Sequence, residues 1–243
     1  MSWTTEEFLA CTIARLIGDA QHVAVGAASP VPAAACTLLR AQNGGRPRLS
    51  LLHKRRGNPF TEGSRELFDL AGQGRIDVFF LGGAQIDGEA NINLVGTGSY
   101  PNSEARFPGS FGSAFLYFAA RRTILYREEH SRRVLVPRVD FISAPGWSPP
   151  GVWRRGGPQA LVTGKAIFAW QPEMRRFRLE SVHPRHTADE VREHTGFEYD
   201  APARIGVTAE PAPEELALLR GPVAREIAAN YPEFAARVWG ASA

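Results

Sequence analysis

The sequence predicts an α/β protein with an open, mostly parallel sheet flanked by helices. Predicted strands and helices alternate from the N-terminus to Leu81, which is the order of a layered α/β fold. The run from Val78 to Leu81 is apolar at every position, as in parallel strands that are buried on both faces. Together these observations favour a parallel sheet over an antiparallel sheet with one solvated face.

The N-terminal helix is predicted by its cap and its apolar side. Thr4 is a good N-cap residue, and Glu7 three positions later completes a capping box. The apolar residues that follow share one side of a helix that reaches Ile17. The other elements expected in this half are, in order, strand 22–25, helix 30–39, strand 49–52, helix 64–71 and strand 76–81.

The second half of the chain is predicted to contain strands, further helices and a helical end. Loop 144–158 contains four prolines and four glycines and is expected to be irregular. Thr187 with Glu190 forms a second capping box. Strands are expected at 123–126, 134–136, 139–143, 160–162, 166–170 and 177–182, and helices at 113–120, 214–219 and 223–239. Since no repeat or long linker interrupts the chain, we expect one domain over residues 1–243 with a helical C-terminal segment.

Composition narrows the class of protein. A net charge of +3 with arginines spread along the chain does not predict a nucleic-acid partner. No apolar stretch approaches the length of about 20 residues that a membrane span needs. Glu6 and Glu7 stand where a signal peptide would be positive, and Cys11 and Cys36 are too few for a secreted disulfide framework. We expect a cytoplasmic protein with reduced thiols. Most of the arginine pairs are expected at the surface, although some could contact a ligand phosphate.

Several common catalytic signatures are absent from the sequence, among them the phosphate-binding G-x-x-x-x-G-K-[ST], G-x-G-x-x-G, H-E-x-x-H and G-x-S-x-G. His183 and His186 are three residues apart, but Pro184 between them breaks helical spacing. We therefore expect structural or surface roles for both histidines and no metal site.

Segment 82–93 is rich in small and polar residues directly after a predicted buried strand. Glycines allow another backbone or a ligand to come close, and polar groups at the carboxyl end of a strand are typical of a binding site. The polar residues are Gln85, Asp87, Asn91 and Asn93. The structural alternative is a hairpin in which Asp87-Gly88 sets the bend and the asparagines bond their own backbone.

Segment 108–113, Pro-Gly-Ser-Phe-Gly-Ser, immediately precedes a predicted helix. Glycines in such a loop leave backbone N–H groups available to an oxyanion or an anionic ligand. The segment is therefore a candidate oxyanion loop.

Four ordered segments resemble the beta subunits of glutaconate CoA-transferase and its relatives, in family I of the coenzyme A-transferases. Segment 82–93 is similar to their G-A-x-Q-V-D-x-x-G-N-x-N stretch, and segment 108–113 to their P-G-x-G-G loop. Segment 139–143 matches V-D-F-I-T, and segment 181–197 resembles L-H-P-G-V-T-x-x-x-V-x-x-x-T-G-F. The matched positions of the first segment are Gly83 or Ala84, Gln85, Asp87, Asn91 and Asn93.

The resemblance implies a CoA-transferase-like fold, an acyl-CoA substrate and an alpha-type partner subunit. Coenzyme A is then part of the substrate, and no permanently bound cofactor is expected. Carried over onto this chain, the resemblance implies a catalytic role for Gln85 and for the residue at the family glutamate position. It implies substrate or CoA binding by Gly83, Asn91, Asn93, Gly109, Ser110, Phe111 and Gly112.

This chain departs from the family pattern at the residue that matters most. Transferases of the family use a glutamate in an E-S-G or E-N-G motif as nucleophile toward the thioester. Lys54 stands at that position in this sequence, and Glu62 is the nearest carboxylate that could substitute for it. Phe111 replaces a glycine of the oxyanion loop, and Ala90 replaces the glycine before Asn91.

The loss of the glutamate favours a relative that hydrolyses its acyl-CoA. Its model is the ring-opening hydrolase of steroid (cholesterol) catabolism, in which the working glutamate comes from the alpha subunit. One alternative is a true CoA-transferase with its nucleophile elsewhere. The other is a non-catalytic subunit that only stabilises its partner.

Overall fold

A computed structural model describes residues 2–52 and 60–240. The chain divides into two compact units. One comprises residues 1–70, 75–80 and 209–243, and the other residues 71–74 and 81–208. The single domain expected from the sequence stays a prediction, since compact units of one chain can be parts of one domain. Lys54 lies outside the described residues.

The first unit combines a parallel sheet with helices. Its elements are α1 (Thr5–Ile17), β1 (His22–Val25), α2 (Pro30–Gln42), β2 (Arg48–Leu51), α3 (Ser64–Gly72) and β3 (Val78–Leu81). Strand β1 pairs in parallel with both β2 and β3. Every residue of β1 and β3 is buried, as the continuous apolar runs predicted.

Helix α1 begins with the capping box that the sequence predicted. Glu7 N–H donates to Thr4 Oγ1 (3.2 Å), and Thr4 N–H donates to the Glu7 carboxylate (3.0 Å). The same carboxylate, although buried, is paired with Arg220 at 2.6 Å, so its charge is compensated.

The C-terminal segment of the first unit is helical, as expected. It contains α6 (Pro213–Leu218), a π-helical turn (Leu219–Val223), α7 (Ala224–Ala228) and α8 (Pro232–Trp239). The prediction of one continuous helix over 223–239 was wrong, because α7 ends at Ala228. Pro232 begins α8 and has no N–H with which to continue an earlier helix.

The second unit contains a five-stranded mixed sheet, two small hairpins and two helices. Its elements are β4 (Gln85–Ile86), β5 (Ile92–Asn93), β6 (Gly96–Thr97), β7 (Ala105–Arg106), α4 (Ser113–Ala119), β8 (Arg122–Arg127), β9 (Pro158–Thr163), β10 (Ala166–Gln171), β11 (Arg176–Val182), α5 (Ala188–His194) and β12 (Gly206–Val207). In this sheet β8–β9 and β11–β12 are parallel, whereas β10 is antiparallel to β9 and β11. Parallel pairs therefore outnumber antiparallel ones in the main sheets, and the predicted α/β class is confirmed.

Two strands expected from apolar runs are not formed. Segment 134–136 makes only an isolated bridge, between Leu135 and Ile86. In segment 139–143 the backbone bonds side chains instead of a ladder. Val139 N–H donates to the Asp87 carboxylate (3.3 Å), and Asp140 N–H to Gln85 Oε1 (3.0 Å). Side-chain acceptors of segment 82–93 thus replace a neighbouring strand, which the apolar pattern alone could not indicate.

The second capping box is only half formed. Glu190 N–H donates to Thr187 Oγ1 (3.2 Å), as expected. The Glu190 carboxylate instead bonds His186 Nδ1 (2.9 Å) and Lys165. His186 therefore belongs to a surface ion-pair cluster.

A buried group of hydroxyls and imidazoles, which we term the histidine network, lies in the second unit. Its members are His130, Thr163, His183, Thr195 and Thr208. His130 bonds Thr163 Oγ1 (2.7 Å) and Thr195 Oγ1 (3.0 Å). His183 Nε2 donates to the carbonyl of Thr163 (2.9 Å), so its Nδ1 accepts from Thr208 (2.9 Å). Burial lowers the pKa of each histidine to about 4, and both rings are neutral at pH 7.

Cys11 and Cys36 are buried free thiols, as the sequence predicted. Burial raises the pKa of both, that of Cys11 to about 12. Within residues 2–52 and 60–240, no helix is long and apolar enough to cross a membrane. Nor does that part of the chain bring together three His, Cys, Asp or Glu side chains that could hold a metal ion.

Candidate functional site

Segment 82–93 forms a short antiparallel hairpin. Strands β4 and β5 pair Gln85 with Asn93 and Ile86 with Ile92. Asp87 makes the bend, because its Oδ1 accepts from the N–H groups of Glu89 (3.1 Å) and Asn91 (3.0 Å). This is the turn that the structural alternative expected of an aspartate followed by glycine.

Gln85 and Asn93 bond each other across the hairpin. Asn93 Nδ2 donates to Gln85 Oε1 (2.7 Å) and to the carbonyl of Gly96 (2.7 Å). Gln85 Nε2 donates to Asp140 Oδ2 (3.1 Å), which also accepts from Gly98 N–H (2.9 Å). We call Gln85, Asp87, Asn91, Asn93 and Asp140 the site network.

The carboxylate of Asp87 is the buried charge of this network. Besides the two turn amides, it accepts from Asn91 Nδ2 (3.2 Å) and Val139 N–H (3.3 Å). Burial raises the pKa of Asp87, and the hydrogen bonds from Asn91 and from the backbone counteract part of that rise. Four donors therefore hold the group that orients the hairpin.

Glycines allow the backbones around the hairpin to approach closely. A Cβ on Gly146 would lie 2.2 Å from the carbonyl oxygen of Glu89. A Cβ on Gly83 would lie 2.8 Å from both the carbonyl oxygen of Gln85 and Ile92 Cγ2. Asn91 Oδ1 accepts from Gly146 N–H (3.1 Å) and so closes the contact from the other side. Any larger side chain at Gly83 or Gly146 would push the hairpin out of place.

The glycine-rich loop 108–112 lies against the end of the hairpin. A Cβ on Gly109 would be 3.6 Å from Leu94 Cδ2, so the two predicted segments come into contact. Gly112 has φ 66°, a left-handed conformation that glycine adopts without strain, and caps α4. Ser110 is exposed and Phe111 is 76% exposed. Helix α4 has only seven residues, so anion binding would depend on the loop amides rather than on a long helix dipole.

An open cleft adjoins the site network. It has a volume of about 760 Å³ and is lined by Gly98, Ser99 and residues 138–142. The exposed carboxylate of Asp140 lies in this cleft, and its Oδ2 is fixed by Gln85 and Gly98. The network therefore connects the hairpin interior to a surface that a ligand can reach.

Glu62, the alternative carboxylate near the family glutamate position, lies at the surface. Its side chain is 61% exposed and is paired with Arg65 at 3.2 Å. A solvated, ion-paired carboxylate has the environment of an ordinary surface residue.

The sequence found most of this site, but not all of it. The hairpin and loop residues Gly83, Gln85, Asn91, Asn93 and Gly109 to Gly112 lie in one compact unit. Asp140, Gly146 and Tyr117 were missed as site residues. Asp140 had a signal, since it stands in the V-D-F-I-S match. Gly146 was one of several glycines in an irregular loop, and Tyr117 looked like any apolar helix residue.

The chain belongs to the family Coenzyme A transferase, whose sequence model matches residues 47–194. It is 32% identical over 150 residues to one of the subunits of the glutaconate CoA-transferase of Acidaminococcus fermentans, a match that covers 59% of this chain and 55% of that protein. The resemblance to beta-type subunits is therefore confirmed.

Two further proteins are similar to this chain. The cholesterol ring-cleaving hydrolase IpdB subunit of Rhodococcus jostii RHA1 is 32% identical over 160 residues, covering 64% of this chain and 62% of that protein. The crystal structure of IpdAB from the same organism aligns with a TM-score of 0.78 at 26% identity, over 91% and 94% of the two chains. The crystal structure of the decarboxylase AibA/AibB aligns with a TM-score of 0.75 at 26% identity, over 99% and 100%. The sequence matches thus span about 55 to 62% of the length of these curated relatives.

Proposed function

We propose that this chain is the beta-type subunit of a heteromeric enzyme that acts on an acyl-CoA, and that the enzyme is a ring-opening hydrolase. Coenzyme A is then carried by the substrate and the second subunit is of the alpha type. The similarity to the IpdB subunit and to the structures of IpdAB and AibA/AibB supports this assignment. A steroid-derived ring is the substrate class that the name of the IpdB relative suggests.

The single observation that carries the proposal is Lys54 at the family glutamate position. A transferase needs a carboxylate there to form an acyl-enzyme anhydride and then an enzyme thioester. An ammonium group can form neither intermediate. Because Glu62 is solvated and paired with Arg65, the working carboxylate is assigned to the alpha-type partner.

The residues of this chain then bind and polarise the substrate. The partner's carboxylate would accept a proton from water, and the amides of loop 109–112 would stabilise the oxyanion that forms when water attacks a carbonyl. The side chains of Gln85, Asn91 and Asn93 bond protein atoms, so we assign them to shaping the site. Gly83, Gly109, Ser110, Phe111 and Gly112 remain the proposed contacts to substrate or CoA.

Product analysis separates this function from its rivals. The complex of both subunits would be incubated with an acyl-CoA that carries a cyclic 1,3-diketone, and the products weighed by mass spectrometry in H2¹⁸O. Ring opening adds one water and keeps CoA attached. Thioester hydrolysis releases free CoA, transfer moves CoA onto added acetate or succinate, and decarboxylation releases CO2. Activity of the alpha subunit alone would favour a purely stabilising role for this chain.

Lys54 variants test the division of labour between the subunits. If Lys54 grips an anionic substrate or keeps the partner's carboxylate ionised, Lys54→Ala should lower kcat/KM by about 1 to 3 kcal/mol. Lys54→Glu should lose more, through like-charge repulsion, without gaining transfer activity. Arg178→Ala is the matched control, since it removes an exposed cation that is paired with Glu180 on β11. Transfer to acetate by the wild-type complex, with Lys54→Ala unimpaired, would favour the transferase instead.

A further inference from the structure

Ala90 holds a backbone conformation that alanine rarely adopts. Its φ is +60°, and it is completely buried at the position where the family pattern carries a glycine. Its N–H donates to the carbonyl of Asp87 (3.0 Å), and Gly146 leaves no room for a side chain beside it. A strained residue of this kind persists only where its surroundings fix it.

Tyr117 provides one of the contacts that fix Ala90. The ring is completely buried in α4, and its hydroxyl donates to the carbonyl of Ala90 at 3.0 Å. Burial raises the pKa of Tyr117, so the hydroxyl keeps its proton and acts as a donor. This hydrogen bond links α4 to the bend of the hairpin.

Arg154 holds Tyr117 independently of the hydroxyl. Its guanidinium carbon lies 4.9 Å from the centre of the tyrosine ring, and Nη2 donates to the carbonyl of Tyr117 (3.4 Å). Arg154 also donates to the carbonyls of Pro145 (2.9 Å) and Gly156 (2.6 Å). Removal of the hydroxyl alone therefore leaves the ring and its packing in place.

The position of Tyr117 on α4 gives the hydrogen bond a consequence for the oxyanion loop. The helix starts directly after Gly112, and Leu116 N–H bonds the carbonyl of Gly112 (3.0 Å). The loop and its helix thus touch the hairpin at two points. Gly109 packs on Leu94 at one end, and Tyr117 bonds Ala90 one helical turn into α4.

We propose that Tyr117 is a positioning residue, whose hydroxyl sets the distance between loop 108–112 and hairpin 85–93 by holding the carbonyl of Ala90. The inference rests on the proposed function only for what the loop amides do. The link between α4 and the hairpin is independent of which reaction the enzyme catalyses.

Three variants test the proposal in the complex with the alpha-type subunit. Tyr117→Phe removes the hydroxyl and keeps the ring. Tyr199→Phe is the control, because among the described residues the Tyr199 hydroxyl is a buried group of the same unit with no hydrogen-bond partner. Replacement of Tyr117 by 4-aminophenylalanine restores an N–H donor at the same place and should restore function.

The readouts are kinetics and amide hydrogen exchange. Tyr117→Phe should lower kcat about tenfold with KM changed less than about twofold, since misplaced oxyanion donors act on the transition state more than on binding. Exchange of the loop amides should also speed up in this variant and not in Tyr199→Phe. The aminophenylalanine variant should return both quantities toward wild type.

The failure of this inference is distinct from failure of the proposed function. If the complex transfers CoA or decarboxylates, the hydrolase proposal fails, while the ratio of Tyr117→Phe to wild type still tests positioning in the reaction observed. If no acyl-CoA turns over, loop exchange remains the test. The inference is overturned if loop exchange in Tyr117→Phe equals wild type, or if kcat stays within about twofold of the Tyr199→Phe control.

Discussion

The two buried polar networks of the second unit differ in charge and in what surrounds them. The site network contains the carboxylate of Asp87, reaches an open cleft through Asp140, and carries the strained Ala90. The histidine network is neutral, and its members join strands and turns of the sheet. The comparison teaches that buried polarity is not itself a sign of function. A network that retains a charge, strain and access to solvent is the better candidate.

The networks also respond to pH with opposite signs. His130 and His183 have lowered pKa values, so their contribution to stability is complete above the unfolded value of about 6.5 and is lost as pH falls toward 4. Asp87 has a raised pKa, so the stability linked to its protonated form is lost as pH rises through that value. Acid should therefore weaken the histidine network first.

The largest expected effect is the loss of the charge in the site network. Asp87→Asn keeps the shape of the side chain but turns one acceptor oxygen into a donor. Either orientation of the amide then opposes two of the four N–H groups that Asp87 accepts. We expect a loss of about 2 to 3 kcal/mol in the free energy of unfolding, together with loss of activity. Asp69→Asn on α3 is the control at an exposed carboxylate. Equal stability of the two variants would contradict the account of the bend.

The next effect is the response of the histidine network to acid. Between pH 7 and pH 5 each histidine should lose about 2 kcal/mol of its contribution, because the unfolded chain gains protons that the buried rings refuse. His183→Gln keeps polar atoms but cannot be protonated. The stability gap between wild type and His183→Gln, measured by denaturant titration of the same complex, should shrink by about that amount. A gap that does not change with pH would contradict the assigned neutral ring.

The smallest expected effect concerns backbone strain. Ala90→Gly relieves a left-handed alanine, whereas Ala35→Gly adds a glycine to the interior of helix α2. Ala90→Gly should therefore be the less destabilising of the two, by about 1 kcal/mol. Both alanines are completely buried, so the lost methyl contacts are comparable. Thermal unfolding of the two variants measures the difference, and an equal loss would mean that the strain is absent.

The sequence predicted the regular elements better than the connections between them. The apolar strands β1 and β3 and the cap of α1 were predictable because their signals are local. The missing strands at 134–136 and 139–143 depend on Gln85 and Asp87, which are distant in the chain and leave no local signal there. Tyr117 was missed for the same reason. Its role arises only when α4 is placed beside Ala90.

The site motifs were found through resemblance, and physical reasoning alone gave a choice between a hairpin and a binding loop. The structure forms the hairpin, and the same residues support the candidate site. The two interpretations were therefore compatible. Polar groups that bond their own backbone can also hold a neighbouring glycine loop in place.

The most direct test of the central claim is a search for a covalent intermediate on this chain. The complex would be incubated with its acyl-CoA, treated with borohydride or hydroxylamine, and both subunits examined by peptide mass spectrometry. Because Lys54 stands where the family carries its nucleophile, the account predicts no modified carboxylate anywhere in this chain. A reduced or hydroxamate-bearing glutamate in this chain, at Glu62 or elsewhere, would contradict the account and identify the enzyme as a CoA-transferase.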